Sequence, residues 1–356
     1  MRFAEPQPGL SQFELLKDRS NCYHDRIYMG RSTADVLFFA SSRTGAALDP
    51  TLAMSSYEAV TGRKQEIFLF WTPWPNSEIM YAFFRDYLAN NPAPKVALIA
   101  LSPAVKLNPP VRYVHPLFHS FAPPYLYLDV LSSSELVHSR LFAVSDFLRL
   151  LIHHLDINLT RLLVVNASFA VPEGDNCHLQ KAAPENLTMD TAQHESFEAR
   201  LNFELEKVMP DLEPERIGTA EGLLETSNGD ALKTSFAKAA IKEWGDTNTW
   251  PADRHFLMEA PSAKRSIMYY RHIVALAKSN NVKIGFYFMP DLLSPEPPSG
   301  QVGDLAKSLG APIFLPPIQL RKVSYHYYWD TNHVDEAFRS AYSAWFASLI
   351  DQIEED

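Results

Sequence analysis

The stretch Asp35-Val36-Leu37-Phe38-Phe39-Ala40-Ser41-Ser42-Arg43 decides the fold class. Its apolar run is uninterrupted, which is typical of a parallel strand that is covered on both faces. Two serines follow at the point where this strand ends. Because reacting groups in open α/β sheets gather at the carboxyl ends of strands, the stretch predicts a buried strand over residues 36–41 with a candidate site directly after it.

Strand-like and helix-like patterns alternate on both sides of this stretch. Continuous apolar runs predict further strands at residues 66–71, 95–101, 282–289 and 312–315. Apolar residues at helical spacing predict helices at residues 50–60, 77–88, 263–279, 302–309 and 335–353. Alternating strands and helices predict an α/β fold, a flavodoxin-like three-layer α/β/α sandwich with about five parallel strands.

The alternation is interrupted between residues 104 and 261. Pro-rich loops there are followed by patterns that predict helices at 144–155, 195–208 and 230–243 and a short strand at 162–166. We interpret residues 104–261 as a helical insertion or cap within one α/β domain that spans residues 1–356.

The composition restricts the classes of function. A net charge of −10 without a dense Lys/Arg cluster argues against nucleic acid as the main partner. The two cysteines, Cys22 and Cys177, are too few for a disulfide framework; they either form one bridge or stay free. The N-terminus lacks the apolar stretch of a signal peptide, and no run of about 18 apolar residues occurs, so the sequence as given predicts a cytoplasmic protein.

A second informative segment, Trp329-Asp330-Thr331-Asn332-His333, lies just before the last predicted helix. A serine hydroxyl is a weak nucleophile that needs a base within hydrogen-bond reach and a group that orients this base. Ser42, His333 and Asp330 supply these three roles, and Asp330 distinguishes His333 from the other histidines. The alternative interpretation is that the serines cap a turn and Asp330 caps the last helix.

These two segments resemble the signature blocks of the SGNH (GDSL-like) hydrolase superfamily, and the resemblance covers about residues 30–103 and 262–354. The most similar variant has Gly-Ser-Ser-Arg or Gly-Ser-Ser-Glu in its first block. It includes alginate O-acetylation proteins and the teichoic-acid D-alanyl transfer protein. The resemblance implies that Ser42 is the nucleophile and that Asp330 and His333 complete its triad.

The same resemblance implies the substrate and the partners. The substrate would be an acyl ester, expected to be acetyl, of a carbohydrate or a cell-surface polymer, and no cofactor would be needed. A membrane-bound acyl-donor protein would be a partner. Relatives of this kind act outside the inner membrane, so a periplasmic or extracytoplasmic location is the alternative to the cytoplasm.

The oxyanion-hole positions differ from the family pattern. The Gly of the first block is Ala40, and no Gly occurs at residues 71–76, where the family has its second donor. The remaining oxyanion candidates are Ser42, Thr72, Trp74 and Ser102. Losing one such donor costs on the order of 10²–10³ in rate. A catalytically weak glycan-binding or assembly subunit of a polysaccharide-modification system is therefore the alternative function.

Three residues near the two segments are candidates for substrate binding. Arg43 can bind a carboxylate or phosphate, or form a structural salt bridge. Trp71 and His326 lie among other aromatic residues, where they can stack on a sugar ring or belong to the core. The histidines at 115, 119, 153 and 154 do not have the spacing and acidic partners of a metal site, so the sequence predicts no metal.

Overall fold

The computed structural model describes residues 23, 26–27, 30, 32–72, 77–101, 194–208, 261–290, 299–321, 328 and 333–355, and the structural statements below concern these residues. The predicted helices at 144–155 and 230–243, the predicted strand at 162–166 and both cysteines lie outside them. The predicted helix at 195–208 lies within them.

Five described strands form one parallel sheet in the order β2-β1-β3-β4-β5. They are β1 (Val36–Ser41), β2 (Ile67–Thr72), β3 (Val96–Leu101), β4 (Lys283–Phe288) and β5 (Ile313–Phe314). This is the strand order of flavodoxin-like sheets. Each predicted strand is present to within one residue at either end, and the predicted α/β class is confirmed.

Helices cover both faces of the sheet. They are α1 (Ser42–Ala47), α2 (Pro50–Thr61), α3 (Ser77–Asn90), α4 (Phe197–Val208), α5 (Pro261–Ser279), α6 (Ser299–Leu309), α7 (Ile318–Arg321) and α8 (Arg339–Glu355). Helix α8 packs against α2 and α4 on one face, and α5 packs against α3 and α6 on the other. The short helices α1 and α7 have no counterpart among the predicted helices. The predicted last helix at 335–353 includes Glu336–Phe338, which forms a 3₁₀ turn ahead of α8.

Aromatic side chains of β1 show why its apolar run is continuous. The Phe38 ring contacts Phe346 of α8 edge to face, with the ring centroids 5.4 Å apart. The next ring along the strand, Phe39, contacts Phe84 of α3 with its centroid 5.7 Å away. Successive side chains of a strand point to opposite faces, so β1 needs apolar residues at every position.

Gly285 in β4 gives a first testable prediction. A Cβ atom there would lie 2.5 Å from Ile353 Cδ1 and 2.7 Å from Phe314 Cε2. We therefore expect Gly285→Ala to lower the free energy of unfolding by about 1–3 kcal/mol, the usual cost of overpacking a core. Urea unfolding measures this change. Gly303→Ala in α6 is the matched control, because nothing lies within 4 Å of its added Cβ and alanine stabilises a helix interior by about 0.5–1 kcal/mol. Equal effects of the two substitutions would contradict the packing described for β4.

A buried tyrosine between α2 and α8 gives a second prediction. The Tyr57 hydroxyl donates to Glu354 Oε2 at 2.6 Å. Burial, and then this hydrogen bond, raises the pKa of Tyr57 from 10.0 to about 12. Between these two values only the unfolded chain loses the proton, so the free energy of unfolding falls as pH rises, by up to about 3 kcal/mol for this group. Alkaline unfolding curves of wild type and Tyr57→Phe check this, and the variant should lose less stability between pH 10 and 12. Parallel curves would show that Tyr57 does not contribute.

Candidate active site

The nucleophile candidate lies where β1 passes into α1. Ser41 is the last residue of the strand and Ser42 is the first residue of the helix. The Ser41 side chain makes no capping hydrogen bond to α1, so Ser41 is not a side-chain cap of this helix. Ser42 is half-buried at the carboxyl edge of the sheet, which is where α/β folds bind ligands.

The base candidate lies in the segment that leads into α8. An antiparallel bridge between Tyr328 and Val334 holds both ends of this segment. The cap of the 3₁₀ turn that follows is Asp335, whose Oδ1 accepts from the Ala337 N–H at 2.9 Å. His333 is thereby placed directly before the bridged Val334 and two residues before the capping Asp335. Asp330, for which a cap role is the alternative interpretation, lies outside the described residues.

The fold brings the two candidates together. His333 Nε2 lies 2.9 Å from Ser42 Oγ, although 291 residues separate them. Both side chains are half-buried. When Nδ1 carries the ring proton, Nε2 accepts from the serine hydroxyl, which is the arrangement a general base needs. The serine and histidine of the predicted triad are thus in contact.

Helix α1 is attached to the sheet by a buried hydrogen bond. The Tyr287 hydroxyl of β4 donates to Thr44 Oγ1 at 3.1 Å, and both groups are buried. Burial raises the pKa of Tyr287, so this residue stays a neutral donor. Sequence reasoning missed both residues, because a tyrosine in an apolar strand and a threonine in a turn have no distinguishing signal.

The Trp71 indole packs against the same helix. A Cβ atom on Gly45 would lie 2.5 Å from Cδ2 and Cε2 of the Trp71 indole, so glycine alone leaves room for the ring. The backbone N–H of Trp71 donates to the Tyr23 hydroxyl at 3.1 Å, and this hydroxyl donates to the Trp71 carbonyl at 2.9 Å. The backbone N–H of Trp71, the residue before the oxyanion candidate Thr72, therefore already has a partner.

Of the other candidates, Arg43 and Thr72 lie among the described residues. Arg43 Nη1 donates at 3.4 Å to the carbonyl of Met289, the residue that directly follows β4 at the carboxyl edge of the sheet. Thr72 is paired in register with Ser41, so its backbone lies at the same edge. The remaining candidates lie outside the described residues: Trp74, Ser102, His326 and Asp330.

The described part of the chain shows neither a metal site nor a membrane-spanning helix. No three His, Cys, Asp or Glu side chains there are grouped so that they could hold a metal ion. None of its helices has the length and apolar character that crossing a membrane requires.

The chain was also compared with known proteins. No protein-family model matches it, and no curated protein is significantly similar in sequence. The geometry of Ser42 and His333 therefore carries the functional argument.

Proposed function

We propose that the protein is a serine-dependent esterase or O-acyltransferase. The observation that carries this proposal is the 2.9 Å contact between His333 Nε2 and Ser42 Oγ at the carboxyl edge of a parallel sheet. A nucleophile and a base within hydrogen-bond reach form the working unit of acyl-transfer enzymes. Asp330, three residues before His333 in the sequence, is the proposed third member of the triad, the carboxylate that would orient the imidazole.

The proposed reaction has two acyl-transfer steps. Ser42 Oγ attacks the carbonyl carbon of an ester while its proton passes to His333 Nε2. The tetrahedral intermediate then collapses, the ester C–O bond breaks, and the leaving alcohol takes the proton back from His333. Water or a second hydroxyl repeats the sequence on the acyl-serine. Water gives hydrolysis, and a hydroxyl gives transfer.

The oxyanion of that intermediate needs hydrogen-bond donors. Ser42 lies in the first turn of α1, and the N–H groups of a first helical turn have no partner within the helix. Its backbone N–H is therefore our first oxyanion candidate, with Thr72, Trp74 and Ser102 as further candidates.

The proposed substrate is an acyl ester of a carbohydrate or cell-surface polymer, expected to carry acetyl groups. This part rests on the resemblance to the SGNH variant described above. Trp71 fits it, because its half-buried ring lies against α1 and can meet the apolar face of a sugar. Arg43 is the candidate for an acidic group of the polymer. A membrane-bound acyl-donor protein is the corresponding partner.

A second candidate is a catalytically weak glycan-binding or assembly subunit. It is favoured by the lack of glycine at residues 71–76 and by the prolines at positions 73 and 75, which cannot donate. Fewer donors at the second strand end would slow acyl transfer without preventing binding. Such a subunit would bind a polysaccharide with no turnover.

Intact-mass analysis after treatment with a fluorophosphonate probe tests the proposed function. An enzyme with an activated serine gains the mass of one adduct, and it also releases p-nitrophenol from p-nitrophenyl acetate. Hydrolysis and transfer are then separated with an acetylated polysaccharide in the presence and absence of an acceptor glycan. A folded protein that gains no adduct and releases no p-nitrophenol would instead support the binding subunit.

A further inference from the structure

Two elements meet at the contact between Ser42 and His333, which we call the dyad. A second contact joins the same two elements at another place. Ser42 begins α1, and Ala46 lies in the last turn of that helix. His333 precedes α8, which begins at Arg339. Arg339 Nε donates to the Ala46 carbonyl at 2.9 Å. The element that follows the base therefore bonds directly to the element that carries the nucleophile.

The groups in this contact are able to hold α1 and the start of α8 at a fixed distance from each other. A helix as short as α1 leaves its last carbonyls without partners inside the helix. A guanidinium near a helix C-terminus is favoured by the helix dipole, and its planar N–H groups have fixed directions. The other end of the group, Nη2, lies 3.4 Å from Glu336 Oε1. Glu336 is exposed, so this ion pair contributes little.

A neighbouring contact joins α8 to the chain just beyond α1. Ser343 Oγ accepts from the Asp49 N–H at 3.0 Å and donates to the Asp49 carbonyl at 3.3 Å. Both residues are buried. Asp49 is the cap of α2, so this contact secures α8 to the start of α2. Removing the Ser343 hydroxyl would therefore weaken the attachment of α8 to α2 without removing a hydrogen bond to α1.

We propose that Arg339 is a positioning residue that sets the distance between Ser42 Oγ and His333 Nε2. It touches no reacting atom; it acts by holding the C-terminal end of α1 to the start of α8. Misplacing catalytic groups by about 1 Å can cost about 10²-fold in rate. The consequence for rate rests on the proposed function, whereas the consequence for the geometry of the dyad does not.

The test compares Arg339→Ala with Ser343→Ala. The first readout is the second-order rate constant of fluorophosphonate labelling. The second is the ¹⁵N resonance of His333 Nε2, assigned by its loss in His333→Gln, which reports the bond to Ser42 whether or not the protein turns over. The third is rescue of Arg339→Ala by ethylguanidinium, with tetramethylammonium as the ionic control. Thermal unfolding is followed for every variant, and Arg339→Lys replaces Arg339→Ala if the latter does not fold.

We expect Arg339→Ala to label about 10–100-fold more slowly and to shift the His333 resonance toward its position in Ser42→Ala. Ethylguanidinium should restore part of the rate. Ser343→Ala should be less stable than wild type yet keep the wild-type His333 resonance and labelling rate. A wild-type resonance in Arg339→Ala, or the same shift in Ser343→Ala, would overturn the proposal. Absence of labelling in wild type would refute the proposed function alone, because the resonance still decides the role of Arg339.

Discussion

Ser42→Ala is expected to abolish covalent labelling by the fluorophosphonate probe and to lower esterase activity by at least about 10³-fold. The Ser42 hydroxyl is the group that His333 Nε2 contacts at 2.9 Å. Without this oxygen no acyl-serine can form, and an alanine methyl group cannot replace it. Because Ser42 is only half-buried and begins a helix, the variant should fold normally. Intact mass and p-nitrophenyl acetate turnover, together with a thermal unfolding curve, measure the three expectations.

Ser41→Ala is the matched control for this prediction. Ser41 is the adjacent residue of the same type, is also half-buried, and makes no capping hydrogen bond. We expect this variant to label at close to the wild-type rate. If Ser41→Ala lost labelling while Ser42→Ala kept it, the assignment of the nucleophile would be wrong. Loss in both variants, with both folded, would show that the turn as a whole matters and not one hydroxyl.

His333→Gln is expected to have the second large effect, a loss of about 10³-fold or more in the rate of labelling. Glutamine keeps a polar side chain of similar reach but cannot take the serine proton. Residues that act as one unit do not lose activity additively. The double variant Ser42→Ala/His333→Gln should therefore be no less active than Ser42→Ala alone. Residual esterase rates of the three variants, measured at one pH, test this non-additivity.

His272→Gln is the control for the histidine. His272 lies in α5, and its ring is tilted against those of Tyr81 and Tyr269, with centroids 5.6 and 6.0 Å away, on the sheet face opposite to α8. We expect this substitution to leave the labelling rate unchanged. A wild-type rate in His333→Gln would show that the 2.9 Å contact is not used in catalysis. In that case another group would have to act as the base for Ser42, and the proposed role of His333 would be wrong.

The strands could be predicted from the sequence because each is an uninterrupted apolar run. A strand that is covered on both faces admits few polar positions, so such runs in β1 and β3 leave little choice of structure. The helix α2 was equally clear. Pro50 begins it, and Gly62 ends it in the left-handed conformation at φ 68°, which glycine adopts without strain. The helix α1 was missed, because Ser42–Ala47 is short and has no apolar periodicity.

Part of the candidate site could also be predicted. Ser42 and His333 were found because each follows or precedes a recognisable element, and the resemblance to a family linked their roles. Arg43 and Trp71 were named for their chemistry, and both lie at the carboxyl edge of the sheet. No sequence pattern indicated Gly45, although its lack of a side chain is what lets the Trp71 ring pack against α1.

The sequence by itself determined the kinds of elements, their order along the chain, and the residue types available for acyl chemistry. Those properties are local: they follow from burial, periodicity and backbone preference within a short window. Only the tertiary structure decided the contact between Ser42 and His333, the bond from Tyr287 to Thr44 and the bond from Arg339 to Ala46. These contacts join residues hundreds of positions apart, and their geometry depends on how whole helices pack on the sheet, which no short stretch of sequence encodes.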